Sequence, residues 1–402
     1  MKKLIFSVVA LLVGSTVLAQ PVMSYEEAEA KANEILKSLT LEEKLSMTQG
    51  HNRFFFPGVP EKGLPYIYTT DASMGVKNKQ HLHDAGEVIL AERTTQFPAF
   101  IMLAATFNPD LAYKYGHAVG EEARMAGAGV ILGPGMNIYR NAQCGRNFEY
   151  YSEDPLLAGK TAAAMINGVE SHGVGTSLKH FAANNQEINR LANDSRVSMR
   201  ALREIYLRNF EIAVKESQPW TIMTSYNYIN GRHASEDPGL LETILRDEWG
   251  FEGLVMTDWN GGYDVDKQIA AGNDLMMPGK MFHYEGILQA VKEGKLAESD
   301  LDICVKRVLE LVVRTPRFQG YKFSNKPDMK AHAELTREVA AEGFVLLKNE
   351  GVTLPLRERK VALFGSTSYN FIAGGAGSGN VNRPYVVDLR DGLLGNGFTL
   401  NE

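Results

Sequence analysis

The stretch GLVMTDW, Gly253 to Trp259, carries an apolar run that ends in a carboxylate. Leu254–Met256 predicts a strand covered on both faces, as in a parallel sheet. Asp258 follows with an indole directly behind it, although a buried charge without a partner is costly. Asp258 is therefore either an N-cap that begins the next helix or a functional carboxylate at the end of the strand.

Similar apolar runs recur along the chain, and helical patterns separate most of them. Further strands are predicted at Tyr66–Thr70, Ala99–Ala104, Val130–Leu132, Thr176–Leu178 and Thr221–Thr224. The clearest helices span Met199–Glu216, Gly239–Trp249 and Glu298–Thr315, where apolar residues are spaced for one face. This alternation over about 250 residues predicts an α/β fold with a parallel sheet, in the form of a (β/α)8 TIM-type barrel.

The N-terminus has the pattern of a secretory signal peptide. Lys2 and Lys3 precede the apolar run Leu4–Val13, and small residues lead to a predicted cut after Ala19. Residues 1–19 are therefore predicted to direct export to the periplasm or the medium of a bacterium. A transmembrane anchor is the alternative, but the run is short for a span, so no anchor is expected after cleavage.

Changes in composition predict the domain boundaries. Residues 20–315 are assigned to the barrel domain, and residues 316–330 to a linker rich in proline, glycine and polar residues. Residues 331–402 are interpreted as the N-terminal part of an incomplete α/β sandwich domain, because one clear strand is little for a stable layer. This part is predicted to begin with a helix ending near Gly351, followed by a strand at Lys360–Gly365.

The glycine-rich loop GGAGSG, Gly374 to Gly379, is a candidate for phosphate binding. It lacks the G-x-x-x-x-G-K-[ST] pattern, however, and lies some distance past its predicted strand. A flexible loop that leans over the pocket of the neighbouring domain is the preferred interpretation.

Charge and cysteine usage narrow the function classes. The formal net charge is -6 and no long basic run is present, which argues against nucleic acid as a partner. Cys144 and Cys304 are expected to be free and buried, with a disulfide as the alternative. No H-E-x-x-H or paired-cysteine motif is found, so no metal site is expected. No organic cofactor is implied either.

Polar side chains follow the predicted strands at the end where parallel barrels place their chemistry. These residues are Asp71, Arg140, Arg146, Glu149, Glu153, Asp154, Lys179, His180, Tyr226, Asn227, Asp258 and Trp259. Any one of them alone is more often a cap or an ion-pair partner, but together they predict a polar pocket. Carboxylates, cations and an aromatic face suit a sugar, while a Schiff base on Lys179 is a competing chemistry.

Six segments, in order along the chain, resemble glycoside hydrolase family 3, the β-glucosidase-type enzymes. They are TDASMGV, GPGMNIYRNAQCGRNFEYYSEDP, KHFAANNQE, MTSYNYINGR, LRDEWGFEGLVMTDW and AAEGFVLLKNEGVTLPL. The resemblance implies a retaining, exo-acting glycosidase that cleaves terminal non-reducing β-D-glucosyl residues from an oligosaccharide or β-glucoside.

The resemblance also implies roles for single residues. Asp258 matches the catalytic nucleophile, Tyr226 the tyrosine beside it, and Trp259 the aromatic residue that lines the sugar site. The groups that hold the terminal sugar are matched by Asp71, Arg146, Lys179 and His180. Met223 and Glu149 are expected near the pocket.

The general acid/base has no match in this chain. Two-domain members supply a glutamate from the second domain, which is expected beyond residue 402 here. Single-domain members carry a His–Asp dyad on the loop after the Lys-His pair, where this chain reads FAANNQEINR, without a histidine. A chain truncated within its second domain is therefore expected. β-Xylosidase, exo-β-glucanase and α-L-arabinofuranosidase activities, or a catalytically silent sugar-binding protein, remain as alternatives.

Overall fold

The computed structural model describes residues 23–77, 93–324 and 326–401. The predicted signal peptide, residues 1–19, lies outside the described residues. None of the helices within the described ranges is long and apolar enough to cross a membrane.

The first two helices begin where the sequence places their caps. Ser24 and Thr40 each form a capping box, with Glu27 and Glu43 respectively. The α-helices among the described residues are α1 Tyr25–Leu36, α2 Leu41–Met47, α3 Phe100–Ala105, α4 Pro109–Met125, α5 Pro155–Glu170, α6 Met199–Ala201, α7 Arg208–Ser217, α8 Val265–Ala270, α9 Met281–Lys292, α10 Glu298–Arg314, α11 Met329–Gly343 and α12 Leu389–Gly395.

Part of one predicted helix and almost all of another form π-helix. Leu202–Tyr206 lies between α6 and α7, and Gly239–Glu248 precedes the strand that leads to Asp258. The strands are β1 Phe55–Phe56, β2 Ile67–Asp71, β3 Val130–Leu132, β4 Gly175–Phe181, β5 Asp194–Ser195, β6 Thr221–Thr224, β7 Tyr228–Ile229, β8 Arg232–His233, β9 Leu254–Thr257, β10 Lys360–Val361 and β11 Thr399–Leu400.

The main sheet has the order β1-β2-β3-β4-β6-β9, and β2 to β9 run parallel. Among the described residues, the sheet continues beyond β9 as two isolated parallel bridges, Met256 to Leu275 and Gln49 to Met276. The α/β class and the parallel sheet are therefore confirmed, but the sheet is a half-barrel. A closed barrel of eight strands is not confirmed.

Both faces of the parallel strands are covered. On β9, Val255 belongs to a core shared with helices α4, α5 and α7. Leu254 and Met256 belong to a second core, which includes residues of α2, α9 and α10. Cys144 and Cys304 are buried and unpaired, as expected.

The strand predicted at Ala99–Ala104 is wrong, because this run forms helix α3. Alanine, leucine and methionine favour a helix, and a run of six apolar residues does not reveal its period. Tyr115 on α4 donates a hydrogen bond to the carbonyl of Pro98, at 2.9 Å, just before this helix begins.

The C-terminal part departs from the prediction in two places. Helix α11 ends at Gly343, eight residues before the predicted end. A Cβ atom at Gly343 would lie 2.5 Å from the carbonyl oxygen of Met102. The strand predicted at Lys360–Gly365 is shortened to β10, which pairs in parallel with β11.

Candidate active site

A cavity of about 600 Å³ opens at the carboxyl edge of the parallel strands. Eight of the nine residues that the resemblance assigns to the site line it, and Glu149 lies behind its wall. Arg140, Glu153, Asp154 and Asn227, which also follow the predicted strands, do not line it. The lining residues are Phe54, Asp71, Leu132, Gly145, Arg146, Phe148, Lys179, His180, Glu187, Arg190, Met223, Tyr226, Asp258, Trp259 and Gly375–Ser378. The glycine-rich loop therefore contributes one side of the cavity, as the sequence led us to expect.

The alternation of strand side chains explains why residues from distant parts of the chain meet in the cavity. Successive residues of a strand point to opposite faces, so that every second residue shares a face. On β9, Leu254 and Met256 point into the second core described above, and Asp258, two residues after Met256, points to the same side. On β2, Ile67 faces that core and the alternation leads in the same way to Asp71.

Strand β4 breaks this alternation, because Lys179 and His180 are adjacent and yet both line the cavity. The pairing of β4 with β6 shifts register between Lys179 and Phe181. An irregularity of this kind re-aims a side chain that a regular strand would turn away. The sequence contains no signal for the shift.

Asp258 is held firmly while one of its oxygens stays available. Its Oδ1 accepts a 2.7 Å hydrogen bond from the Trp259 backbone nitrogen, and its own nitrogen donates to the Thr224 carbonyl at 3.2 Å. Its Oδ2 is buried and lies 3.6 Å from His180 Nε2, with no hydrogen-bond partner among the described residues. The backbone thus orients the carboxylate, and Oδ2 remains available to react with a ligand in the cavity.

Two side chains beside this carboxylate, His180 and Tyr226, are uncharged. Burial lowers the pKa of His180 well below its usual range, and the charges of Arg146 and Lys179 lower it further, so the imidazole is neutral. Burial raises the pKa of Tyr226, and the charge of Asp258 raises it further, so the phenol keeps its proton. Asp258 therefore has neutral polar groups beside it.

Glu149 forms ion pairs with two cations of the cavity wall, Arg146 and Lys179. Lys179 Nζ lies 3.5 Å from its Oε2, Arg146 Nε donates to its Oε1, and the Ser73 hydroxyl donates to Oε2 at 2.5 Å. Burial alone would raise the pKa of Glu149, but these three groups together lower it to about 2. The carboxylate is therefore ionised and leaves the two cations partly neutralised.

Aromatic side chains form another part of the wall. The rings of Trp259 and Phe54 lie 5.3 Å apart, and the indole nitrogen donates to the carbonyl of Arg53 at 3.0 Å. The indole is thus fixed in place, and its flat face can cover the C–H surface of a ring-shaped ligand.

Two charged lining residues were missed from the sequence, Glu187 and Arg190. They lie on the loop after β4 and form an ion pair of 2.6 Å. The Arg190 guanidinium also lies 4.5 Å from the centre of the Tyr226 ring. Their only sequence signal is the clustering of charged and amide residues in FAANNQEINR. This segment lies too far past its predicted strand to be found by looking at strand ends.

No group of three or more histidine, cysteine, aspartate or glutamate side chains within the described ranges is placed to hold a metal ion. The chemistry available from the described side chains is an oriented carboxylate in a cavity rich in hydrogen-bonding groups. Such a cavity can bind a polyhydroxylated ring and present a nucleophile to one of its carbons.

Known proteins resemble this chain over most of its length. It is 42% identical over 378 residues to an exo-α-(1→6)-L-arabinopyranosidase from Bifidobacterium breve, covering 90% of this chain and 49% of that protein. It is 42% identical over 384 residues to β-glucosidase B of Emericella nidulans, covering 92% and 44%. The chain thus spans about half the length of the curated relatives it matches.

A solved structure agrees with the fold. β-Glucosidase 3B from Thermotoga neapolitana, in complex with glucose, superimposes with a TM-score of 0.88 at 46% identity, over 92% of this chain and 55% of that one. Residues 80–311 match the model of the glycosyl hydrolase family 3 N-terminal domain. That match covers more than half of the chain, which therefore belongs to glycoside hydrolase family 3.

Proposed function

We propose that the protein is a retaining, exo-acting glycoside hydrolase that removes terminal non-reducing β-D-glucosyl residues. The observation that carries this proposal is the buried Oδ2 of Asp258, which has no hydrogen-bond partner within the described ranges and lies at the carboxyl edge of the sheet. A retaining glycosidase needs one carboxylate so placed, because it attacks the anomeric carbon and forms a glycosyl-enzyme.

In this mechanism, Asp258 Oδ2 attacks C1 of the sugar and the bond from C1 to the leaving oxygen breaks. Neutral His180 and protonated Tyr226 hold the carboxylate and the ring without neutralising the attacking charge. Arg146, Lys179 and Asp71 are assigned to the sugar hydroxyls. Water then attacks C1 in the second step and releases the sugar with retained configuration.

The general acid/base is not assigned to any residue described here. Because the chain spans about half of its relatives, we propose that this group comes from a part of the enzyme outside the described ranges. The first step with an activated aryl glycoside does not require it, since such a leaving group departs as a stable anion.

Covalent trapping tests the proposal on the chain itself. With 2,4-dinitrophenyl 2-deoxy-2-fluoro-β-D-glucoside, we expect one equivalent of dinitrophenolate and one sugar attached to Asp258, located by peptide mass spectrometry. Asp258→Asn should abolish labelling, whereas exposed Asp247→Asn should not affect it. Glucose binding without labelling would favour the silent sugar-binding protein, and borohydride trapping on Lys179 would favour the Schiff-base chemistry.

A second candidate substrate is a terminal α-L-arabinopyranosyl residue. It is favoured by the relative of that name, at 42% identity. Comparing dinitrophenolate release from the β-D-glucoside and the α-L-arabinopyranoside, each as kcat/KM, decides between them. We expect the glucoside to react faster, and a reversed preference would assign the pentose.

We also propose that the protein is exported through the predicted signal at residues 1–19. Expression of the full chain in a bacterium, followed by fractionation and N-terminal sequencing, should find the processed form beginning at Gln20 outside the cytoplasm. An unprocessed cytoplasmic product would contradict export.

A further inference from the structure

We propose that Glu149 is a positioning residue that couples the seating of the glycine-rich loop to the placement of the two pocket cations. The inference rests on the proposed glycosidase function and extends it to a residue that does not line the cavity. In this role Glu149 acts on the sugar only through Arg146 and Lys179, with which it forms its ion pairs.

One oxygen of Glu149 brings together parts of the chain that are far apart in sequence. Oε2 accepts hydrogen bonds from Ser73, at 2.5 Å, and from Ser378, at 3.2 Å. The same oxygen lies 3.5 Å from Lys179 Nζ. A change in the position of Ser378 therefore changes the surroundings of the atom that holds Lys179.

The loop that carries Ser378 is anchored beside this carboxylate. Lys77 Nζ donates to the carbonyl of Gly377 at 2.6 Å. A Cβ atom at Gly379 would lie 2.9 Å from the ring of Phe148, the residue next to Glu149 in the same turn. The turn at Asn147–Glu149 thus supports the loop through Phe148 and Glu149.

Charge explains why the placement of both cations depends on Glu149. The Glu149 side chain is fully buried, and the side chains of Arg146 and Lys179 are 15% and 3% exposed. Without the carboxylate, two buried positive charges would remain near one another and would move apart or take up water. Ser378 donates to the same carboxylate, so it shares in holding that arrangement.

A double-mutant cycle tests the inference, with the 2-deoxy-2-fluoro-glucoside named above as the probe. Its dissociation constant before reaction, KI, and its rate constant of inactivation, kinact, are measured separately. We expect Glu149→Gln to raise KI about tenfold or more, and Ser378→Ala about threefold, on the basis of buried hydrogen bonds to charged groups. In the Glu149→Gln background, Ser378→Ala should add nothing. Exposed Glu153→Gln and Ser366→Ala are the matched controls and should leave KI unchanged.

A second cycle avoids any effect of Glu149→Gln on folding. Ser378→Ala and Lys179→Met alter two side chains that both meet Oε2 of Glu149, so positioning predicts that their effects on KI are less than additive. Additive effects in this cycle, or a Glu149→Gln variant with unchanged KI, would overturn the inference. If the wild-type chain is not labelled at all, the proposed function fails instead.

Discussion

The imidazole of His332 on α11 lies between two carboxylates of α4. Its Nδ1 is 2.7 Å from Glu122 Oε1, and its Nε2 is 3.0 Å from Glu121 Oε2. Glu122 also accepts a 2.9 Å hydrogen bond from the backbone nitrogen of Thr95. This histidine joins the helix that follows the predicted linker to the helical layer around the half-barrel.

The link should depend on pH. Burial alone lowers the pKa of His332, but Glu122 and Glu121 outweigh it and raise the pKa above the usual 6.5. Its contribution to stability is therefore full below about pH 6.5 and is lost as the pH rises through the raised pKa. We expect His332→Gln to lower the free energy of unfolding by about 1–3 kcal/mol at pH 6 and by less at pH 9.

Urea unfolding at the two pH values measures this difference. Exposed His117→Gln, on the same α4 helix, is the control and should change stability little at either pH. An equal loss for His332→Gln at pH 6 and pH 9 would mean that the histidine does not carry the charge in the folded protein.

We predict that Asp274 contributes strongly to the stability of the folded chain. Its fully buried carboxylate binds Arg246 at 2.9 Å and Arg307 at 2.8 Å, and accepts a 2.8 Å hydrogen bond from the nitrogen of Val255 on β9. Asp274→Ala should cost about 3–5 kcal/mol, because two arginines lose their buried partner. Thermal unfolding measures the loss, with the exposed Asp247→Ala variant as the control. Equal melting temperatures of the two variants would contradict the prediction.

Hydrolysis by this chain should depend steeply on the leaving group. If the general acid comes from outside this chain, as proposed, a β-glucoside with a poor leaving group, such as cellobiose, should react about 10²–10⁴-fold more slowly than with the acid in place. A dinitrophenyl glucoside should lose far less in its first step. Rates across a series of aryl β-glucosides of rising phenol pKa measure the slope. A flat series with fast cellobiose hydrolysis would reveal an acid within the chain.

The seating of the glycine-rich loop should depend on the missing side chain at Gly379. A Cβ atom there would lie 2.9 Å from Phe148 and 3.3 Å from Met74, so Gly379→Val should displace the loop from the cavity. We expect a several-fold rise in KI for the fluoro-glucoside, measured as above. Gly395→Ala, where a Cβ atom meets nothing within 4 Å, is the control. An unchanged KI in Gly379→Val would show that the loop does not contact the sugar.

Strand-end reasoning predicted much of the cavity, because alternation and burial are local properties that a sequence displays. Val130–Leu132 and Thr221–Thr224 are strands with the predicted bounds. It placed Lys179 and His180 together in the pocket, but it did not predict that β4 continues through both to Phe181, because the register shift that lets them share the cavity depends on the pairing with β6. Arg190 was missed for a related reason, since it reaches the cavity from within a loop.

The alternation that brings Asp258 to the cavity has a consequence for insertions and deletions. Adding or removing one residue within Leu254–Thr257 would turn every later side chain of that strand through half a turn. Asp258 would then point among the surrounding helices, and Thr257 or Trp259 would take its place. Length variation among relatives of this protein should therefore collect in the connections between strands and be absent from β9 itself.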